Sequence, residues 1–244
     1  MKVDILAFGV HPDDIELGCS GTIMAAIAEG KSVGIVDLTQ GELGTRGSVE
    51  TRKSEAMAAA KVMGVAVREN LAMADGFFVN DEISKRKIIT VIRKYQPDII
   101  LCNAPEDRHP DHGRSAKLVS DAAFLSGLRK IETQIEGVLQ EAWRPAYVFH
   151  YIQDRFIHPS FVVDITAFME KKIETILCYQ TQFYNDNYNS NEPQTYISSP
   201  QFLESLKARA LMLGKRIGVN YAEGFISEKV LGIKSFDGFV KNVT

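Results

Sequence analysis

Basic charge is in short supply. Lysine and arginine number 28 against 31 aspartate and glutamate residues, a formal net charge of −3. Nucleic-acid binders carry a basic stripe or patch. This chain has only the short runs Lys85-Arg86-Lys87 and Lys171-Lys172, which fall in helical patterns and read as solvated helix faces. No nucleic-acid partner is expected. Cysteine is scarce too: Cys19, Cys102 and Cys178 make 3, far apart and odd in number. They form neither a C-x-x-C nor a disulfide framework, which fits a reducing, cytoplasmic setting. Long apolar runs are missing. None approaches the roughly 18 residues of a membrane-spanning helix, so no membrane partner is expected. The apolar N-terminal stretch is too short for a secretory signal and runs straight into polar residues, so it reads as a strand.

What is present is an alternation of strand and helix patterns in a chain of 244 residues, 45% hydrophobic and 24% charged. Strand 3–10 precedes helix 17–30, and strand 32–39 precedes a glycine-rich loop, Gly41 to Gly47. Helix 48–63 starts behind Ser48, a residue suited to the N-cap, and ends at Gly64. Strand 67–73, helix 81–95, strand 98–103 and helix 112–126 follow. This order predicts an α/β fold with a mostly parallel sheet and helices on both faces. From about residue 146 the pattern changes to strands 146–152 and 161–165, helix 167–182, a polar tract 185–193 that reads as a mobile surface loop, and helix 200–217. The expectation is a single domain over 1–244, with residues 146–244 adding extra strands, a flexible loop and helices.

Three of the 5 histidines lie in two short clusters, His11-Pro12-Asp13-Asp14 and His109-Pro110-Asp111-His112. Each follows a run that reads as a buried strand. Ligands of open α/β sheets bind beyond the carboxyl ends of the strands, so the two clusters are expected at one shared edge. His11, Asp14 and His112 then supply two imidazoles and one carboxylate, which leaves open positions on a bound metal and marks a catalytic site. The set suits Zn²⁺ and also Fe²⁺. The competing reading makes Asp13 or Asp14 the cap of the first helix and Asp111 the cap of the second. Asp13 is spare as a base for a metal-activated water. His109, with Asp111 between it and His112, is suited to act as an acid or to steady an oxyanion. Spacing alone leaves the roles of His109 and His112 interchangeable. The glycine loop is neither a dinucleotide fingerprint nor a P-loop. Arg52, opening the next helix, can clamp a substrate oxygen or carboxylate. His150 and His158 stand alone and read as structural.

These residues carry a resemblance. His11-Pro12-Asp13-Asp14 with Glu16 and Gly18, Thr39-x-Gly41-Glu42-x-Gly44-Thr45, Arg52, and His109-Pro110-Asp111-His112 resemble the motifs of the LmbE-like, or PIG-L, deacetylases. Those are Rossmann-like, zinc-dependent N-deacetylases of amino-sugar conjugates. The run Gly218-Val219-Asn220-Tyr221-Ala222-Glu223-Gly224-Phe225 and the chain length are most similar to the bacillithiol-biosynthesis branch, which deacetylates N-acetylglucosaminyl malate. The resemblance implies zinc on His11, Asp14 and His112, and Asp13 as general base. It implies His109, oriented by Asp111, as stabiliser of the tetrahedral intermediate or acid for the amine. Arg52, Arg108 and Glu42 would contact substrate. A tyrosine from a C-terminal segment, Tyr196 or else Tyr188, would help hold the oxyanion. Free N-acetylglucosamine, a chitobiose-like sugar or a thiol-conjugate amide remains an alternative substrate, and homo-oligomers, often hexamers, are implied by the resemblance.

Overall fold

The first half of the chain alternates as its apolar pattern predicts. The computed structural model describes residues 1–184 and 192–238. Its elements begin β1 (Ile5–Gly9), α1 (Asp14–Ala28), β2 (Val33–Thr39), α2 (Val49–Met63), β3 (Val67–Met73), α3 (Glu82–Tyr95), β4 (Ile99–Cys102) and α4 (Pro110–Leu125). They continue with β5 (Gln134–Ile135), β6 (Val138–Leu139), β7 (Tyr147–Tyr151), β8 (Phe161–Asp164), α5 (Met169–Leu177), α6 (Pro200–Lys215) and β9 (Ala222–Ser227). β1 and β2 are buried at every residue, as strands covered on both faces must be. The α2 cap is the expected one: Ser48 accepts from the Thr51 amide, and Gly64 closes the helix at φ 77°.

The main sheet runs β3-β2-β1-β4-β7-β9-β8. Its pairs are parallel from β3 to β7, while β9 is antiparallel to both β7 and β8. One face is covered by α1, α2, α5 and α6, with Ile15, Ile23, Ala59, Ile176 and Leu206 in its core. The other is covered by α3 and α4, with Ile88, Ile92, Leu118 and Val119. This is the α/β architecture expected. Among the described residues no helix is long and apolar enough to cross a membrane.

Four expectations need correction. The sequence pattern did not reveal β9, because Glu223 and Gly224 interrupt its apolar run, nor the small β5–β6 pair. Helix 167–182 is shorter: a 3₁₀ turn at Thr166–Phe168 leads into α5, which stops at Leu177. The first helix starts at Asp14 rather than at residue 17. Lys172 is not on a solvated face; it is 2% exposed.

The reason for Lys172 lies in α1, which is broken at Cys19 (φ −150°, ψ 15°). Lys172 Nζ donates to the Glu16 and Leu17 carbonyls at 3.0 and 2.9 Å and to Glu223 Oε1 at 2.6 Å. Glu223 in turn accepts from the Gly21 and Thr22 amides at 3.1 and 2.7 Å. The ion pair thus satisfies the backbone groups on both sides of the break, which buried polar groups require. Gly18 sits beside it because a Cβ there would lie 2.2 Å from the Tyr151 ring.

Candidate active site

β1 has β2 on one side and β4 on the other. The carboxyl ends of β1 and β4 therefore form the switch point where open α/β sheets bind ligands. Both histidine clusters sit there. The Val10 amide joins them, donating to Asp14 Oδ2 at 3.0 Å and Asn103 Oδ1 at 3.1 Å.

Asp14 is the hub. Its Oδ2 accepts from the His11 amide at 3.0 Å and from Asn103 Nδ2 at 2.9 Å. Its Oδ1 accepts from Gln153 Nε2 at 2.6 Å and lies 3.2 Å from His112 Nε2. Burial opposes its charge, but His112, His11 and these hydrogen bonds hold the carboxyl well below the usual carboxylate range. His11 turns Nδ1 to Asp14 Oδ2 at 3.8 Å, while its Nε2 meets Asp75 Oδ1 at 2.9 Å. His112 turns Nε2 inward, and its Nδ1 meets Asp107 Oδ2 at 2.6 Å. Each imidazole thus has its outer nitrogen fixed by a carboxylate and its inner nitrogen at the cluster, the arrangement that orients metal-binding histidines. Burial disfavours the charged form of His112, yet Asp14 and Asp107 outweigh it and push the pKa up to about 10. The negative field that holds this proton is the field a divalent cation would answer. The donor chemistry fits a metal, and among the described residues two sets of donor atoms lie within 4.8 Å of one another, His11 with His109 and His112, and His11 with Asp75 and Asp111; Asp14 is in neither set.

Asp13 occupies the N-cap position of α1 at φ 124°, ψ −23°, and its side chain makes no capping bond. A non-glycine residue there costs of order 1–3 kcal/mol and persists only where its surroundings hold it. Arg52 is the holder. Its Nη2 lies 2.6 Å from the Pro12 carbonyl oxygen and 3.3 Å from Asp13 Oδ2, and its Nη1 is 3.3 Å from the Gly41 carbonyl oxygen. The glycine loop makes room for this arm, since a Cβ on Gly41 would stand 2.2 Å from Arg52 Nη1. Burial pushes Asp13 up to about 7 against the pull of Arg52, near the value that suits a base at neutral pH.

None of the three aspartates caps its helix through its side chain, although Asp13 holds the N-cap position of α1. His109 is the N-cap of α4, and its Nδ1 accepts from the Asp111 amide at 3.3 Å. The Asp111 carboxylate accepts instead from the Gly76 amide at 2.8 Å and from Arg114 at 2.7 Å. Asp111 therefore orients His109 through its backbone, a correction to the expected carboxylate contact. Burial and the neighbouring His11 and His112 hold the His109 pKa below its ordinary value. The neutral ring then carries its proton on Nε2.

A cleft of about 260 Å³ joins these groups, lined among others by Asp13, His109, Arg108 and Tyr196. The Tyr196 hydroxyl donates to Asp154 Oδ1 at 3.2 Å, and Arg108 stacks on its ring at 4.5 Å. Arg108 Nε also lies 3.3 Å from Asp154 Oδ2. Tyr188 lies outside the described residues. Glu42 is not brought to the cleft lining; its carboxylate accepts from the Asp75 and Gln40 amides at 2.8 and 3.2 Å. His150 is structural as expected, bonded to the Asn103 carbonyl at 2.8 Å and to Glu228 at 2.9 Å. Sequence reasoning missed Asp75, Asn103 and Gln153, which no local pattern marks, and left Asp107 as a flanking charge.

Residues 6–123 match the PIG-L family, described as GlcNAc-PI de-N-acetylase. The chain is 30% identical over 231 residues to diacetylchitobiose deacetylase of Thermococcus kodakarensis, covering 90% of this chain and 81% of that protein. It is 25% identical over 192 residues to 4-oxalmesaconate hydratase of Pseudomonas putida, covering 72% and 73%. The crystal structure of a conserved protein of Thermus thermophilus matches with a TM-score of 0.84 at 35% identity, covering 95% of this chain and 98% of that one. With the two histidine clusters at the sheet's switch point, these matches establish that the chain belongs to the PIG-L, or LmbE-like, family of de-N-acetylases.

Proposed function

We propose that the protein is a zinc-dependent amide hydrolase that removes the N-acetyl group from an N-acetylglucosamine conjugate, with N-acetylglucosaminyl L-malate of bacillithiol biosynthesis as its substrate. The observation that carries the reaction type is Asp13. It is a buried carboxylate on strained backbone, pinned by Arg52 and sharing one cleft with the imidazole–carboxylate cluster.

In this reading His11, Asp14 and His112 hold the metal. Bound there, a zinc ion supplies a Lewis acid for the acetamide carbonyl and acidifies a water. Asp13 takes the proton of the attacking water. The Nε2–H of His109 donates to the developing oxyanion, and the Tyr196 hydroxyl at the rim adds a second donor. The water oxygen joins the acetyl carbon, the C–N bond breaks, and the amine leaves with the proton Asp13 collected. Acetate and a free glucosamine conjugate result.

The malate conjugate rests on the similarity of the Gly218–Phe225 run to that branch and on the guanidinium of Arg108 at the cleft. A chitobiose-like sugar is the second reading, and the 30% identical deacetylase supports it equally. The reading takes the enzyme to be cytoplasmic and homo-oligomeric, from its free cysteines and the family resemblance. The test is acetate release from N-acetylglucosaminyl malate, diacetylchitobiose and N-acetylglucosamine, before and after chelation and zinc return. The malate conjugate is expected to show the highest kcat/KM, with activity lost on chelation and restored by zinc. Preference for diacetylchitobiose would select the second reading. No acetate from any amide, with hydration of 4-oxalmesaconate, would put the chain with the hydratase relative.

A further inference from the structure

A small side pocket opens off the catalytic cleft. Leu17, Arg108, His112, Gln153 and Ile197 line both spaces, so the pocket starts beside the metal cluster. Its volume of about 30 Å³ holds one or two water-sized groups, the scale of one carboxylate. Arg209, from α6, lines its wall.

Two carboxylates and two guanidiniums line this pocket, but they are not all paired. Asp154 is already engaged by Arg108 and Tyr196. Asp107 is spent on His112 and on the Asp154 and Arg155 amides. Arg209 makes no hydrogen bond or ion pair with the described residues; Asp154 and Asp107 act on it only across space. Burial lowers its pKa from the ordinary arginine value, and the side chain stays partly open to solvent, so the guanidinium is free to take a carboxylate.

The geometry points to Arg209 as the residue that selects an anionic aglycone, binding a carboxylate of the substrate in this side pocket while the acetamide sits at the metal cluster. The inference rests on the amino-sugar reading above. The sugar's chemistry supports the placement: the acetamide is on C2 and the aglycone on C1, adjacent ring atoms. An aglycone must therefore lie beside the reacting amide, where the side pocket is. A neutral aglycone would leave the guanidinium as it stands. A carboxylate would give it the charge-assisted partner it lacks.

The experiment compares wild type with Arg209→Gln and Arg209→Lys on two substrates of one shape, N-acetylglucosaminyl malate and its dimethyl ester. Arg209→Gln is expected to lower kcat/KM for the diacid about 10- to 100-fold, the worth of one hydrogen bond to a charged group, and to leave the diester within about 2-fold. Arg209→Lys should recover part of the loss. Equal losses on both substrates, or none on either, would overturn the assignment. A direct binding measurement with L-malate separates the two ideas if neither conjugate is turned over. In that case the malate-conjugate reading fails by itself. Calorimetric malate binding that weakens at least 10-fold in Arg209→Gln still supports the anion pocket, and malate binding that is unchanged or undetectable in wild type removes it.

Discussion

Arg52 Nη2 bridges the Pro12 carbonyl oxygen and Asp13 Oδ2, at 2.6 and 3.3 Å. One guanidinium thus fixes both the strained turn and the carboxylate it presents. Asp13→Asn keeps the shape and removes the basicity. It is expected to retain bound metal and to lose turnover by roughly 10²- to 10⁴-fold. Metal analysis beside steady-state kinetics checks this; loss of metal together with activity would make Asp13 a ligand.

Asp75 and Asp107 hold the outer nitrogens of His11 and His112. Asp75→Asn and Asp107→Asn are each expected to weaken metal affinity about 10- to 100-fold, the usual effect of removing such a partner. Competition with a chelator of known affinity reads this directly. Unchanged affinity in both variants would show that the carboxylates do not set the imidazoles for a metal.

Lys172 and Glu223 form a buried ion pair across the break in α1. Removing one partner strands the other's charge. Lys172→Met or Glu223→Gln alone is therefore expected to cost about 3–5 kcal/mol of stability, and the double variant less than the sum. Urea unfolding measures all three. Additive losses would mean the two residues act independently.

The legible parts of this protein are those written in contiguous residues. β1 is an unbroken apolar run, β2 is apolar apart from Asp37 and Thr39, and the repeated histidine clusters announce a shared site. What stayed hidden depends on contacts between distant residues. Gln153 reaches Asp14 across 139 positions, and Asp75 reaches His11 across 64. Lys172 looks like any lysine on a helix until the break at Cys19 shows what it satisfies. Glu223 hid β9 because a charge in a short strand reads as a loop, and its buried partner comes from α5.

His150 donates to the Asn103 carbonyl and to Glu228, so both ring nitrogens carry protons in the folded protein. Burial opposes this charge, but Cys102, Glu228 and Asn103 raise the pKa to about 11, above the unfolded value of about 6.5. The folded state then binds more protons than the unfolded one between these limits, and stability falls as pH rises. The contribution of His150 is complete below about pH 6.5 and is lost toward pH 11. The stability gap between wild type and His150→Gln should narrow steadily from pH 7 to pH 10 in urea titrations. A constant or widening gap would show that His150 is neutral in the folded protein.

The most direct measurement is metal per chain by atomic spectroscopy on purified His112→Ala and His109→Ala, beside their acetate release. His112→Ala should lose zinc and the thermal stabilisation that added zinc confers on the folded state. His109→Ala should keep zinc near the wild-type content and lose most turnover. Zinc lost from His109→Ala and kept by His112→Ala would reverse the two roles, and zinc kept by both would contradict a site built on His11, Asp14 and His112.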